Sequence, residues 1–219
     1  MDQARSVSGL LQLPAQATAC YVLAHGAGAG MTHSFMSALA DGLSQRRVAT
    51  LRYQFPYMEQ GSKRPDRPAL AHATVRAAVG AAARLTPALP LFAGGKSFGG
   101  RMTSQAQAET PLPSVRGLIF LGFPLHPANK PSDERALHLS HVRIPMLFLQ
   151  GTRDALADTG LLTAAVARLG DIATLIPIEG ADHSFHVPAR SGRTDAQVLA
   201  EALDALVAWM ESQTDYPGR

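Results

Sequence analysis

Leu89-Pro90-Leu91-Phe92-Ala93-Gly94-Gly95-Lys96-Ser97-Phe98-Gly99-Gly100 is the stretch on which the fold turns. Leu89 to Ala93 reads as a buried strand. It runs into a glycine-rich turn, and a helical pattern from Phe98 to about Glu109 follows. Within the turn lies Gly95-Lys96-Ser97-Phe98-Gly99, a G-x-S-x-G match. A serine held between strand and helix on a tight, strained turn lifts its hydroxyl above the sheet. The residues two before and two after it pass so close that side chains would clash, and Gly95 and Gly99 meet that demand. Two lookalikes fail. A phosphate-binding G-x-x-x-x-G-K-[ST] loop needs glycine at position 90, where Pro90 stands. Gly26-x-Gly28 would open a dinucleotide fingerprint only with glycine at 31, which is Met31.

Outward from this turn, strands and helices alternate. Thr18 to Ala24 is apolar and ends at His25-Gly26-Ala27-Gly28-Ala29-Gly30. Phe35, Met36, Leu39 and Leu43 then recur at helical spacing. Val48 to Tyr53 is the next strand, Gln54 to Pro68 reads as a loop, and Ala69 to Leu85 is an alanine-rich helix. Beyond Glu109, Val115 to Leu121, Pro145 to Gln150 and Ala173 to Ile178 are strands. Asp158 or Thr159 caps a helix that closes at Gly170. Thr194 and Gln197 have capping-box spacing before the last helix. The residues through Pro14 are expected to add an antiparallel edge strand, and those from Ser212 to fray. Strands that are apolar throughout, separated by helices, predict an α/β fold. Its central sheet is mostly parallel with helices on both faces, and one domain spans residues 1–219.

Composition agrees. The 219 residues are 46% hydrophobic and 17% charged, which is globular. Net charge is +3, and the 17 Arg and 3 Lys are scattered, so no basic patch points to nucleic acid. No apolar run reaches membrane-spanning length, and Met1-Asp2-Gln3-Ala4-Arg5 lacks the character of a signal peptide. The lone Cys20 fits a reducing, cytoplasmic location.

A serine hydroxyl is a weak nucleophile and needs a base, which in turn needs an orienting acid. Asp154 follows the Pro145 to Gln150 strand, and His183 follows the last strand. Both fall at the same sheet edge as Ser97, where open parallel sheets form their sites. Asp158, Asp171 and Asp182 compete for the acid role; Asp182 adjoins His183 and reaches its Nδ1 poorly. An oxyanion needs two fixed N–H donors, worth ~3–4 kcal/mol each. The candidates are the backbone N–H of Phe98, behind Ser97, and of Ala27, in the loop after the first central strand. His25 is expected to order that loop. His183 and His186 lack further ligands at metal spacing, so no metal and no cofactor is expected.

Gly-Gly-Lys-Ser-Phe-Gly-Gly-Arg at 94–101, with His-Gly-Ala-Gly at 25–28 upstream and Asp154 and His183 downstream, resembles the α/β-hydrolase superfamily. The likeness is to its small dienelactone-hydrolase-like branch and runs over nearly the whole chain. It implies Ser97, Asp154 and His183 as a catalytic triad. Dienelactone hydrolases proper carry a cysteine nucleophile where this chain has Ser97, and Cys20 falls in a strand.

Gly122 to Ile144 spans only 23 residues, too short for a substantial helical cap, so an open site is expected. Phe55, Tyr57, Met58, Phe123, Leu125 and Phe185 are candidate walls for a small acyl substrate. Lys96 and Arg101 flank the turn and are either contacts for an anionic one or paired structural cations, and Glu59 to Arg67 is a candidate flap or a solvated surface loop. The leading expectation is a serine hydrolase acting on a carboxylic ester or related acyl compound through an acyl-enzyme. The same triad also serves acyltransferases, thioesterases and peptidases, and a non-catalytic interaction protein on this scaffold is the alternative class. Oligomerisation through an edge strand is left open.

Overall fold

The structure, a computed structural model, describes residues 6–214. The expectations for the first five residues and for fraying of residues 215–219 lie outside the described residues; Ser212 to Thr214 continue the last helix. Seven strands form one sheet: β1 (Gly9–Gln12), β2 (Ala19–Ala24), β3 (Val48–Tyr53), β4 (Leu91–Lys96), β5 (Val115–Leu121), β6 (Met146–Gly151) and β7 (Ala173–Ile178). Their order is β1-β3-β2-β4-β5-β6-β7. Only the β1–β3 pair is antiparallel. Among the described residues six α-helices accompany them, the last following β7: α1 (Ser34–Gln45), α2 (Pro56–Glu59), α3 (Pro68–Leu85), α4 (Phe98–Glu109), α5 (Thr159–Ala167) and α6 (Asp195–Thr214).

Alternation along the buried strands splits the core in two. Cys20, Val22 and Ala24 face α3, α4 and α5, where Val75, Val79, Met102 and Leu162 meet Phe120 and Phe148. Tyr21 and Leu23 face α1 and α6, where Met36, Leu39 and Leu43 meet Leu147, Leu203 and Leu206. Trp209 of α6 lies flat enough on β5 that a Cβ on Gly117 would meet its ring at 2.7 Å. Its indole packs edge-on against Phe92 at 5.9 Å. Pro177 pairs with Gln150 at the β7 edge, where a missing N–H is tolerated.

The starts of α5 and α6 follow their sequence signals, whereas α5 ends at Ala167, before the expected Gly170, which opens a short 3-10 turn. Asp158 accepts from the Leu161 N–H and caps α5. Before α6, the Gln197 N–H donates to Thr194 Oγ1 while the Thr194 N–H donates to Gln197 Oε1, a reciprocal capping box.

Two segments read as loops contain helix. Pro56–Glu59 forms α2, and Glu134–His141 forms a 3-10 helix between β5 and β6. That interval holds no cap. The candidate flap is tied at one end, where the Tyr57 N–H donates to Asp66 Oδ2 at 3.1 Å. Strand β4 runs three residues past its predicted end. Gly94, Gly95 and Lys96 stay in register with Ile119, Phe120 and Leu121. No helix among the described residues is long and apolar enough to cross a membrane.

Candidate active site

Strand order reverses between β2 and β4, and the C-terminal ends of strands at such a reversal are where open α/β sheets bind ligands. Ser97 stands there, between the last residue of β4 and the first of α4. Its backbone is at φ 50°, ψ −115°, a region a non-glycine residue adopts only under constraint. The constraint is packing. A Cβ on Gly95 would lie 2.1 Å from the Ala24 carbonyl oxygen, and one on Gly94 1.9 Å from that of Ile119. Glycine lets β4 sit tightly between β2 and β5, and the turn at Ser97 follows.

The loops after β6 and β7 bring the other two groups. Ser97 Oγ is 2.8 Å from His183 Nε2, and His183 Nδ1 is 2.7 Å from Asp154 Oδ2. The Asp154 side chain is fully buried, and that of His183 is 24% exposed. Asp154 is oriented further by the Leu156 N–H on Oδ1 at 2.8 Å and by Gln150 Nε2 on Oδ2 at 2.6 Å. Gln150 is itself fixed, its Oε1 accepting from the Phe123 N–H at 2.8 Å. The competing acids stand elsewhere. Asp158 caps α5, Asp171 lies at the opposite sheet edge, and Asp182 Oδ1 accepts from the Ser184 and His186 N–H groups to build the histidine turn. His186 pairs with Asp195 on the surface.

The loop after β2 runs directly beside the serine: a Cβ on Gly26 would lie 3.7 Å from Ser97 Cβ. Gly26 is buried and Ala27 is exposed at the turn that follows. His25 orders this loop from within. It is fully buried, its Nδ1 bonds the Gly26 carbonyl at 2.8 Å, and its Nε2 accepts from the Phe55 N–H at 3.0 Å. Burial pulls its pKa down, so the ring is neutral, as an accepting Nε2 requires. Phe98 opens α4, where the first N–H groups have no helical partner.

The candidate pocket walls are placed differently from the expectation. Phe55, Tyr57, Phe123, Leu125 and Phe185 are each at most 2% exposed. Phe55 packs against His25, Tyr53 and Phe98, and Phe123 against Phe120 and Phe148. These rings belong to the core clusters beneath the site. Only Met58 of the set is partly exposed. Lys96 turns inward, with Nζ donating to the His183 carbonyl. Arg101 Nε is shielded without a partner among the described residues.

A second serine–histidine contact, Ser104 Oγ to His138 Nε2 at 2.8 Å, differs in kind. Ser104 is wholly buried in α4, and its hydroxyl bonds the Arg101 carbonyl. Burial pushes the His138 pKa down to about 4, and the neighbouring charges of Arg101, His72 and His141 add to this. An imidazole in cationic surroundings is a poor proton acceptor, so this pair braces α4 against the 3-10 helix.

Sequence reasoning missed Gln150, and it left Lys96 open between a substrate contact and a paired structural cation. A glutamine inside a buried strand, four residues before the acid, was the available signal for the first.

Comparison with known proteins places this geometry in context. The chain matches, at 22% identity and TM-score 0.75, a dienelactone hydrolase from Anabaena variabilis, covering 95% of this chain and 93% of that one. An alpha-beta serine hydrolase homologue from Coxiella burnetii matches at 19% identity and TM-score 0.73, over 92% and 90%. A lid-less a/b serine hydrolase from Xanthomonas campestris matches at 18% and 0.71, over 97% and 91%. At these identities the likeness is one of fold. The family model described as Alpha/beta hydrolase domain matches residues 17–211, and this chain belongs to that family.

Proposed function

We propose that this protein is a serine hydrolase that cleaves a carboxylic ester or related small acyl compound through Ser97, His183 and Asp154. The observation that carries the reading is the unbroken chain of two short hydrogen bonds, Ser97 Oγ to His183 Nε2 and His183 Nδ1 to Asp154. Family membership supports hydrolysis, and the short β5–β6 interval supports an open site for a small molecule.

In this mechanism His183 Nε2 takes the Ser97 proton as Oγ bonds the substrate carbonyl carbon. The oxyanion is held by the Phe98 and Ala27 N–H groups, and Asp154 stabilises the imidazolium. Collapse breaks the bond to the leaving group, which receives the proton from His183. Water, giving its proton to His183, then attacks the acyl carbon. The Ser97–acyl bond breaks, and the serine regains its proton. A non-catalytic role would favour a histidine out of reach of both partners, which is not the arrangement here.

Labelling with a fluorophosphonate probe and peptide mapping tests the reading. Wild type should be modified at Ser97, and Ser97→Ala should lose labelling and ester turnover by about 10⁴-fold or more. Labelling that persists in Ser97→Ala, at Ser104 or elsewhere, would sink it.

A further inference from the structure

We propose that Lys96 is a positioning residue for His183: its partly buried side chain holds the loop after β7 so that the imidazole stays over Ser97. The role rests on the triad reading above.

Lys96 ends β4 and precedes Ser97 in the chain, yet its side chain does not reach for solvent. Nζ donates to the His183 backbone carbonyl and stands 5.6 Å from the centroid of the Phe185 ring. It thereby grips the histidine loop at two points, through a charge-assisted hydrogen bond and a cation–π contact. The second point matters because Phe185 is held at φ 64°, which the loop must be compelled to keep. Gly122 at the end of β5 leaves the room. A Cβ there would meet Lys96 Nζ at 2.9 Å, His183 Nδ1 at 3.4 Å and Asp154 Oδ2 at 3.5 Å. The ammonium therefore shares one small space with the His183–Asp154 bond.

The charged and titratable groups facing it are Asp154 from the loop after β6, and Asp182 and His183 from the loop after β7. From the loops after β2 and β5, Gly26 lies beside Lys96 Cγ and Gly122 beside its Nζ. Burial pulls its pKa down to about 8, against the opposing pull of Asp154 and Asp182. The grip is therefore full in neutral solution and weakens in mild alkali. A flexible surface cation awaiting an anionic substrate would keep its charge to much higher pH and would leave the carbonyl of His183 free.

The test is the rate of fluorophosphonate labelling at Ser97 between about pH 6 and 10, on wild type, Lys96→Met and Lys96→Arg. Melting by circular dichroism checks folding. Wild type should lose rate above about pH 8. Lys96→Met should label about tenfold more slowly at neutral pH and lose the alkaline fall, as expected for one charge-assisted bond. Lys96→Arg, which keeps its charge, should hold its rate beyond the wild-type fall. A folded Lys96→Met with wild-type rate and profile overturns the role of Lys96 and leaves the triad standing. Should Lys96→Met fail to fold, Lys96→Arg decides: an alkaline fall unmoved from wild type overturns the role. A wild type that does not label at Ser97 overturns the proposed function, and this role with it.

Discussion

At the scale of single residues, the site is a problem of room. Ser97 keeps its constrained backbone because Gly94 and Gly95 let β4 press against both neighbours. Gly95→Ala would drive a methyl group to 2.1 Å from the Ala24 carbonyl oxygen, and backbone on either side cannot yield cheaply. The expected cost is about 3 kcal/mol or more, read as a lowered urea midpoint, with labelling at Ser97 lost even where the fold survives. The G-x-S-x-G spacing made Gly95 and Gly99 legible in advance, because the motif encodes this crowding. Asp154 and His183 were legible for a different reason: each follows an apolar strand on the same edge. Gln150 was not, and Lys96 was left between two readings. Their roles depend on which way a side chain turns within a buried neighbourhood, and neither periodicity nor spacing carries that information.

Secondary structure elements show the same division between local and collective signals. The box at Thr194 and Gln197 is a local device, readable from a four-residue window and present as read. Thr194→Ala removes the acceptor for the Gln197 N–H. It should cost about 1 kcal/mol in chemical denaturation without altering Ser97 labelling, since α6 packs on the face away from α4. By contrast α2 has four residues and the 3-10 helix eight, too few turns to print a hydrophobic stripe amid proline and charge. The extension of β4 through Gly94 to Lys96 was hidden because a backbone ladder leaves no mark on side-chain pattern where the side chains are hydrogen atoms. Aromatic residues in loops misled for a related reason. Phe55 and Phe123 look the same in sequence whether they face a crevice or seal the core, and the clusters around His25 and Phe120 decide for the core.

Across the whole molecule, the fold separates chemistry from bulk. Every group in the proposed mechanism comes from loops at the C-terminal ends of β2, β4, β6 and β7. The parallel order, apolar strands and helices on both faces that the sequence predicted are what bring those ends together. The opposite edge holds Trp209, clamped between Gly117 and Phe92. It is the only tryptophan in the chain. Along β4, Phe92, against which it packs, precedes Ser97 by five residues, a span of roughly 17 Å. Nature has thus installed a single optical reporter that watches the docking of α6 and nothing near the serine. Its emission should shift red when the chain unfolds in urea and stay unchanged when Ser97 is acylated. Fluorescence then reads integrity while a covalent probe reads reactivity, and in one cuvette a dead enzyme can be told from an unfolded one.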